Sequence, residues 1–348
     1  MKKHYLGLIS FLLIFMWNMN HQQLMAQQYE IVAIGYYNLE NLFDTIDSED
    51  VRDSEFLPDS KKLWNTERYY YKLDQMAKVL SEIATDKTPD GLAVFGISEI
   101  ENKMVVEDLV KRPALKDRDY QIVHYNSPDK RGIDVALVYN PKYFEVTHSY
   151  SAPLITEDTG FYTRDQLVVT GLLLNEETSY IVNHWPSRSG GEKRSRPKRN
   201  AAAQLSRSLA DSLLAINPKA KVMIVGDLND DPTNQSVAKY LKATDDKTKL
   251  DQGYFFNPYL TKYKKGIGSL AYRDSWNLFD QIILTPALVS EDRSSWSYFS
   301  SNVFKKPYML NQEGKYKGYP KRSFVGNQFQ GGYSDHLPVY IYLIRELK

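Results

Sequence analysis

Residues 221–232, KVMIVGDLNDDP, limit the folds open to this chain more than any other stretch. Val222, Met223, Ile224 and Val225 form a short, branched apolar run, the pattern of a strand covered on both faces. Gly226 ends the run, Asp227, Asn229 and Asp230 follow, and Pro232 bars further pairing. A buried strand that closes on Gly-Asp-x-Asn brings a carboxylate and a carboxamide, two residues apart, to one point at a sheet edge. An Asx-rich turn would look the same in isolation. The chain repeats the design, and the repetition gives it meaning.

In chain order, residues 31–37 (IVAIGYY) read as a strand that stops at Asn38 and Glu40. Residues 45–62 are acidic and irregular. Thr66 is a candidate N-cap, and Leu73, Met76, Ala77, Leu80, Ile83 and Ala84 follow at helical spacing. Residues 92–97 form another apolar strand, which runs into Glu99, and residues 102–112 read as a short helix. Strands are expected at 121–125, 133–139, 167–174 and 180–182, the last leading to His184. A basic run, 193–199, precedes a helix with Ser195 as candidate cap, Pro197 in its first turn, and Leu205, Leu209 and Leu213 on one face. Residues 278–284 return to strand character around Asp280. The chain closes on Ser334, Asp335 and His336, then a last strand at 339–344. Paired strands with few helices indicate mixed α/β architecture rather than a regular βαβ array.

Residues 1–26 read as an export signal: Lys2 and Lys3, an apolar segment at 6–17, and Met25-Ala26 before Gln27. The apolar segment is too short for a comfortable membrane span. The expected product is exported, periplasmic or secreted, with no stable membrane insertion after cleavage; a retained N-terminal anchor is the alternative. Loss of Lys2 and Lys3 takes the formal charge from +1 to −1. No chain-wide field therefore draws polyanions, and any affinity for phosphate must come from a local patch. Cysteine is absent, which excludes thiol catalysis, thiolate metal sites and disulfides. A metal would sit on oxygen or imidazole, a donor set that favours a hard cation such as Mg²⁺.

Asn38, Glu40, Glu99, His184, Asp227, Asn229, Asp280, Asp335 and His336 each fall at or beside the end of an expected strand. If they converge, residues 27–348 form one domain, although length alone suggests about two. Glu99 and Asp335 are hard oxygen ligands. Asp227 can orient and deprotonate water, and Asn229 can donate to a phosphoryl oxygen without adding charge. His336, with Asp280 at its ring N–H, suits stabilisation of developing negative charge. His184 is a candidate proton donor to a leaving oxygen. One metal, one base, acids and neutral donors are the parts of phosphoester hydrolysis.

The ordered series Asn-x-Glu, Ser-Glu, Asn-His, Gly-Asp-Leu-Asn, Phe-Asp-Gln-Ile and Ser-Asp-His-Leu-Pro resembles the endonuclease/exonuclease/phosphatase superfamily, whose fold DNase I shares. The resemblance runs from about Tyr36 to Val339. It implies a four-layer α/β/β/α sandwich of two mixed β-sheets, and a phosphoesterase dependent on Mg²⁺ or Mn²⁺. Glu99 matches the main metal ligand, with Asn38 beside it and Asp335 as the neighbouring acidic ligand. Asp227 and Asn229 match the water-orienting Asp and phosphate-contacting Asn, and Asp280 and His336 the Asp-His pair. His184 matches the second histidine of the DNase I-like and sphingomyelinase-like branches, and Arg164 a phosphate-binding Arg. Glu40 departs from the Asp of the repair enzymes. Asp134 could orient His184 or face solvent.

Superfamily members cut nucleic acids, phospholipids, inositol phosphates and nucleotides, and a fold does not choose among them. The basic run begins at Lys193, nine residues beyond His184. With Arg188, Lys193 and Arg194 as substrate contacts, it favours an exported nuclease. Aromatic and basic residues at 254–272 and 308–329 suit base stacking. Nucleic acid is thus the expected partner, and no protein partner is implied. A phospholipase-C-like enzyme or a phosphomonoesterase is the enzymatic alternative, and a non-catalytic binding protein on the same scaffold a second one.

Overall fold

A computed structural model describes residues 28–49 and 51–347; the expected leader at 1–26 lies outside the described residues. The first half of the chain gives β1 (Tyr29–Leu42), α1 (Thr66–Glu82), β2 (Leu92–Ile100), α2 (Lys103–Val110), β3 (Gln121–His124), β4 (Asp134–Tyr139), β5 (Phe144–Ala152), β6 (Gln166–Leu173) and β7 (Glu176–His184). Then come α3 (Glu192–Ile216), β8 (Val222–Asp227), β9 (Ala243–Thr244), β10 (Phe255–Phe256), α4 (Pro258–Lys264), β11 (Leu270–Tyr272) and β12 (Ser275–Asn277). The chain ends with β13 (Asp280–Leu284), β14 (Ser297–Val303), β15 (Phe324–Val325), β16 (Gln328–Phe329) and β17 (Val339–Glu346).

Two mixed sheets carry the fold. The first has strand order β14-β17-β1-β2-β4-β3, the second β5-β6-β7-β8-β13-β10-β9. β1 and β2 pair in parallel, as do β7 and β8, while β8 meets β13 and β1 meets β17 in antiparallel fashion. Side chains alternate across each strand, so every second residue faces the other sheet. Val32, Ile34, Tyr36, Val94, Leu137 and Ile341 of the first sheet meet Val169, Tyr180, Val182, Met223, Val225 and Ile282 of the second in one buried cluster. The outer face of the first sheet is covered by Leu73, Met76 and Leu80 of α1 and Val105, Val106 and Leu109 of α2. That of the second sheet packs on Ala202, Ala203 and Ala210 of α3. The result is the expected α/β/β/α sandwich. Each fully buried aliphatic side chain contributes about 1.5–3 kcal/mol. Among the described residues no helix is long and apolar enough to cross a membrane.

Several local expectations change. β1 runs through Asn38 and Glu40 instead of stopping before them, and its register with β2 breaks between Asn38 and Leu42. Glu40 and Asn41 take left-handed backbone angles, φ 48° and 52°, which mark a bulge. The cap of α1 is Asn65, whose side chain accepts from Arg68 N, and Thr66 is the first helical residue. α3 starts at Glu192 on Gly191, earlier than a Ser195 cap would give, and so encloses Pro197. The buried Arg199 guanidinium donates to the Glu192 carbonyl at this end (3.1 Å). β5 and β14, unread in the sequence, complete the outer edges of the sheets.

Gly96 of β2 lies directly against the second sheet. A Cβ there would lie 2.9 Å from Val182 Cγ1 and 3.0 Å from Val225 Cγ2 of the opposite sheet. Gly96→Val is expected to cost about 1–3 kcal/mol in chemical denaturation, because the wedge must part the sheets or displace both valines. An unchanged denaturation midpoint would show that the sheets have slack there.

Candidate active site

The inter-sheet columns end in polar residues. Tyr180 and Val182 lead to His184, Met223 and Val225 to Asp227, Leu284 and Ile282 to Asp280, and Ile34 and Tyr36 to Asn38. Strand register places His184 beside Asp227 and Asp227 beside Asp280. Two-residue alternation therefore sends all four side chains to the inner face at one rim of the sandwich.

Asp227 is the hub. Its Oδ2 accepts from Asn38 Nδ2 at 3.1 Å, and its Oδ1 from the Asn229 backbone N–H at 2.8 Å. His184 Nε2 lies 3.6 Å from Oδ2 and His336 Nε2 3.9 Å from it. His184 Nε2 is also 3.7 Å from Glu99 Oε1. Glu99 and Asn229 adopt left-handed angles, φ 57° and 50°. The strand pairing of β2 with β4 shifts register at Glu99, between Ser98 and Ile100. Left-handed backbone of this kind is costly for side chains larger than glycine and clusters at functional sites. Glu99 Oε2 is fixed by the Asn41 N–H at 2.9 Å. Asn229 Nδ2 donates to the Trp185 carbonyl, also at 2.9 Å.

The two imidazoles are driven apart in charge. His184 is buried, which holds its pKa well below the usual histidine value, and Arg164, Arg131 and His336 lower it further. Burial also disfavours the charged form of His336, but Asp280 and Asp227 outweigh it and raise its pKa well above normal. The His336 Nδ1 to Asp280 Oδ2 contact is 2.7 Å. Ser269 Oγ donates to the same Asp280 oxygen. Burial pushes Asp227 up to about 7; His336 opposes the shift, and Asp280 and Glu99 add to it. The surroundings thus favour the neutral form of one imidazole and the charged form of the other, beside a carboxylate whose pKa is raised.

Ligand atoms of Asp227, Asp280 and His336 all lie within 4.8 Å of one another. Asp280 Oδ1 is buried without a hydrogen-bond partner. Glu99 adds a third carboxylate, 3.7 Å from His184 Nε2, which itself lies 3.6 Å from Asp227. That oxygen-rich, negatively charged set fits a hard divalent cation.

Other expected site residues are placed differently. Asn38 spends its oxygen on the Glu40 N–H (2.9 Å) and its amide on Asp227, so it orients the carboxylate instead of presenting an oxygen to a metal. Asp335 binds Arg322 Nη2 at 2.8 Å instead of standing as a free acidic ligand. Arg164 is no free phosphate contact. Its guanidinium donates to the carbonyls of His184 (3.2 Å) and Trp185 (2.7 Å) and to Asp129 (2.9 Å), which fixes the backbone behind His184. Arg188 is likewise occupied, clamping the turn after β8 through the Asn229 carbonyl (2.9 Å) and Asp230 (3.1 Å). Lys193 and Arg194 are exposed and form no ion pair among the described residues. Asp134 holds His124 (2.9 Å) and the Ser127 N–H (2.9 Å), so it does not orient His184. Glu40 is buried, its pKa raised to about 7 by burial and by Asp335 against the pull of Lys72 and Arg322. It receives Arg322 Nε at 3.0 Å and the Ser323 N–H at 2.7 Å.

Ser269, Arg322 and Lys72 were not singled out from the sequence. Ser269 and Arg322 lie in loops without periodicity. Lys72 did leave a signal, a cation beside Leu73 and four residues before Met76 on the apolar face of α1. Its ammonium reaches the Glu40 carbonyl and Ser323 Oγ.

Comparison with known proteins agrees with this fold. A sequence model of the endonuclease/exonuclease/phosphatase family matches residues 33–345. The chain belongs to that family, whose chemistry is phosphoester hydrolysis. No curated protein matches the sequence. Among solved structures, an endonuclease/exonuclease/phosphatase family protein from Bacteroides thetaiotaomicron superposes with TM-score 0.55 at 16% identity, over 92% of this chain and 100% of that one. A mannosyl-6-phosphatase of Bacteroides thetaiotaomicron gives 0.54 at 16% identity, over 90% and 99% of the two chains. D. rerio TDP2 complexed with single strand DNA product gives 0.53 at 13% identity, again over 90% and 99%. At these identities the likeness is one of fold.

Asp280→Asn is expected to lower the His336 pKa, because it removes the largest charge favouring the imidazolium. In NMR titration of the metal-free protein, the His336 ring should titrate well above the usual histidine value in the parent. In the variant its midpoint should fall clearly below that of the parent, because burial is then opposed by less negative charge. Equal midpoints would show that Asp280 does not set the charge of this ring.

Proposed function

We propose that the protein is an exported, divalent-metal-dependent phosphodiesterase, a nuclease, with residues 27–348 acting as one domain. The observation that carries the catalytic reading is the convergence of two imidazoles on one carboxylate, with His184 Nε2 3.6 Å and His336 Nε2 3.9 Å from the same Asp227 oxygen. Mg²⁺ or Mn²⁺ would be held by Glu99 on the inner side of the rim, and when bound supplies charge neutralisation and polarisation of a phosphoryl oxygen. Asp227, oriented by Asn38 and by the Asn229 N–H, accepts a proton from the attacking water. His336, charged and held by Asp280, donates to the oxygen on which negative charge develops. His184 was expected as the proton donor. Held neutral, with Nε2 toward Asp227 and Glu99, it suits instead a neutral hydrogen bond to a phosphoryl oxygen.

A polymeric substrate is supported by what flanks the rim. Beyond His184 lies a cavity of about 460 Å³ lined by Arg194, Lys198, Phe161 and Tyr162. Beyond His336 lies one of about 620 Å³ lined by Arg273, Lys315, Tyr272 and Tyr316. A chain of phosphates crossing the site would meet cations on both sides. The relative named for its single-strand DNA product complex is consistent with such a path. The relative named as a mannosyl-6-phosphatase supports the rival, a sugar-phosphate monoesterase.

The test is a panel of plasmid DNA, RNA, sphingomyelin, inositol phosphates and sugar phosphates with Mg²⁺ and Mn²⁺. Nucleic-acid cleavage that chelation abolishes and either cation restores is expected; activity on sugar phosphate alone would move the assignment to the rival. His336→Gln should lower turnover about 10²–10³-fold while the protein unfolds near the parent midpoint, since a transition-state donor is lost. A variant within a few-fold of the parent would remove His336 from the mechanism. Combined Lys193→Ala and Arg194→Ala should depress kcat/KM on DNA far more than on a small diester. Equal losses on both would argue against a polymer groove.

A further inference from the structure

The cavity beyond His336 is built from two segments far apart in sequence. One wall is the β11–β12 ribbon and the other the loop closed by the bridge between Leu310 and Pro320. Both are tied to the catalytic rim. Leu270 bridges His336, the Leu337 N–H bonds the Ser269 carbonyl at 2.7 Å, and Ser269 Oγ holds Asp280. The walls are latched to each other: Tyr319 OH donates to Asp274 Oδ1 at 2.6 Å and accepts the Asp274 N–H at 2.7 Å.

The ribbon tip has an unusual composition for its shape. Its two central residues, Arg273 and Asp274, both have positive φ, 47° and 63°. A two-residue turn of this kind favours Asn-Gly. Arg-Asp bears a backbone strain that glycine would remove. Asp274 has the latch to justify its place. Arg273 has no carboxylate partner among the described residues; its guanidinium lies 5.3 Å from the ring centre of Tyr272, which is 60% exposed. On the facing wall Lys315, also unpaired among the described residues, lies 5.6 Å from the ring of Tyr316, 42% exposed. Against Arg273, Lys315 and Arg322 the cavity sets only Asp274 and Asp335, and Arg322 already neutralises Asp335. Exposed tyrosine faces beside free cations are the surface that single-stranded nucleic acid uses, bases on the rings and phosphates on the charges.

We propose that this cavity is a base-stacking subsite for single-stranded nucleic acid, with Tyr272 and Tyr316 as ring platforms and Arg273 as the contact to the adjoining phosphate. It takes the nucleotide next to the phosphate being cleaved, on the His336 side. The inference rests on the nuclease reading and narrows it to strands whose bases are unpaired.

Fluorescence anisotropy of a labelled oligothymidylate, with the full chain silenced by His336→Gln, tests it. Tyr272→Ala and Arg273→Gly, each added to that background, should raise Kd at least tenfold. Arg273→Gly should also flatten the dependence of log Kd on log salt by about one phosphate contact, whereas Tyr272→Ala should not. Glycine relieves the turn, so the Arg273→Gly protein should melt at or above the background temperature, which separates lost contact from lost fold. Oligonucleotide binding within twofold of the background for both variants would overturn the subsite and leave the nuclease reading standing. No oligonucleotide binding by the background protein would overturn both.

Discussion

The site depends on a two-residue period. In three adjacent strands of one sheet and in β1 across from them, the inward side chains next to the rim are buried apolar or aromatic ones, and the inward residue at the rim itself is polar: His184, Asp227, Asp280 and Asn38. The buried columns hold these ends in register, and the polar ends complete the columns. A slip of one residue in any strand would turn its contribution to the outer face. Gly96 permits the close approach that lets residues of two sheets share one cluster.

Where alternation alone does not aim a side chain correctly, the backbone bends. Bulges at Glu40, Asn41 and Glu99, together with the left-handed Asn229, depart from regular strand geometry beside the reacting groups. In β1 this separates two residues that the sequence presents as a pair. Asn38 turns to Asp227, while Glu40 turns to Arg322, Ser323 and the Lys72 side of the rim. Burial lowers the pKa of both histidines, and their neighbours decide the outcome. Two histidines of identical intrinsic chemistry are shifted in opposite directions: burial, reinforced by Arg164, lowers His184, while Asp280 and Asp227 outweigh burial and raise His336.

Much of this was legible beforehand because it is local. Strands at 222–225 and 92–97 announce themselves through uninterrupted branched residues, and the polar residues that close them mark the rim. The edge strands β5 and β14 did not, since Ser, Thr and His fill their half-exposed positions and imitate a loop. Charges misled more than apolar residues did. Arg164 and Arg188 look like phosphate ligands in sequence, yet Asp129 and Asp230, their partners, are 35 and 42 residues away. A guanidinium's role is decided by such distant carboxylates, and no short motif records them.

The account comes down to one claim, that the polar ends of these columns form a single cation-assisted hydrolytic centre. Anomalous diffraction from crystals soaked in Mn²⁺ tests it most directly. The account predicts one strong peak within coordination distance of a Glu99 carboxylate oxygen, on the inner side of the rim beside Asp227. A peak elsewhere with this rim empty, in crystals of active protein, would contradict it.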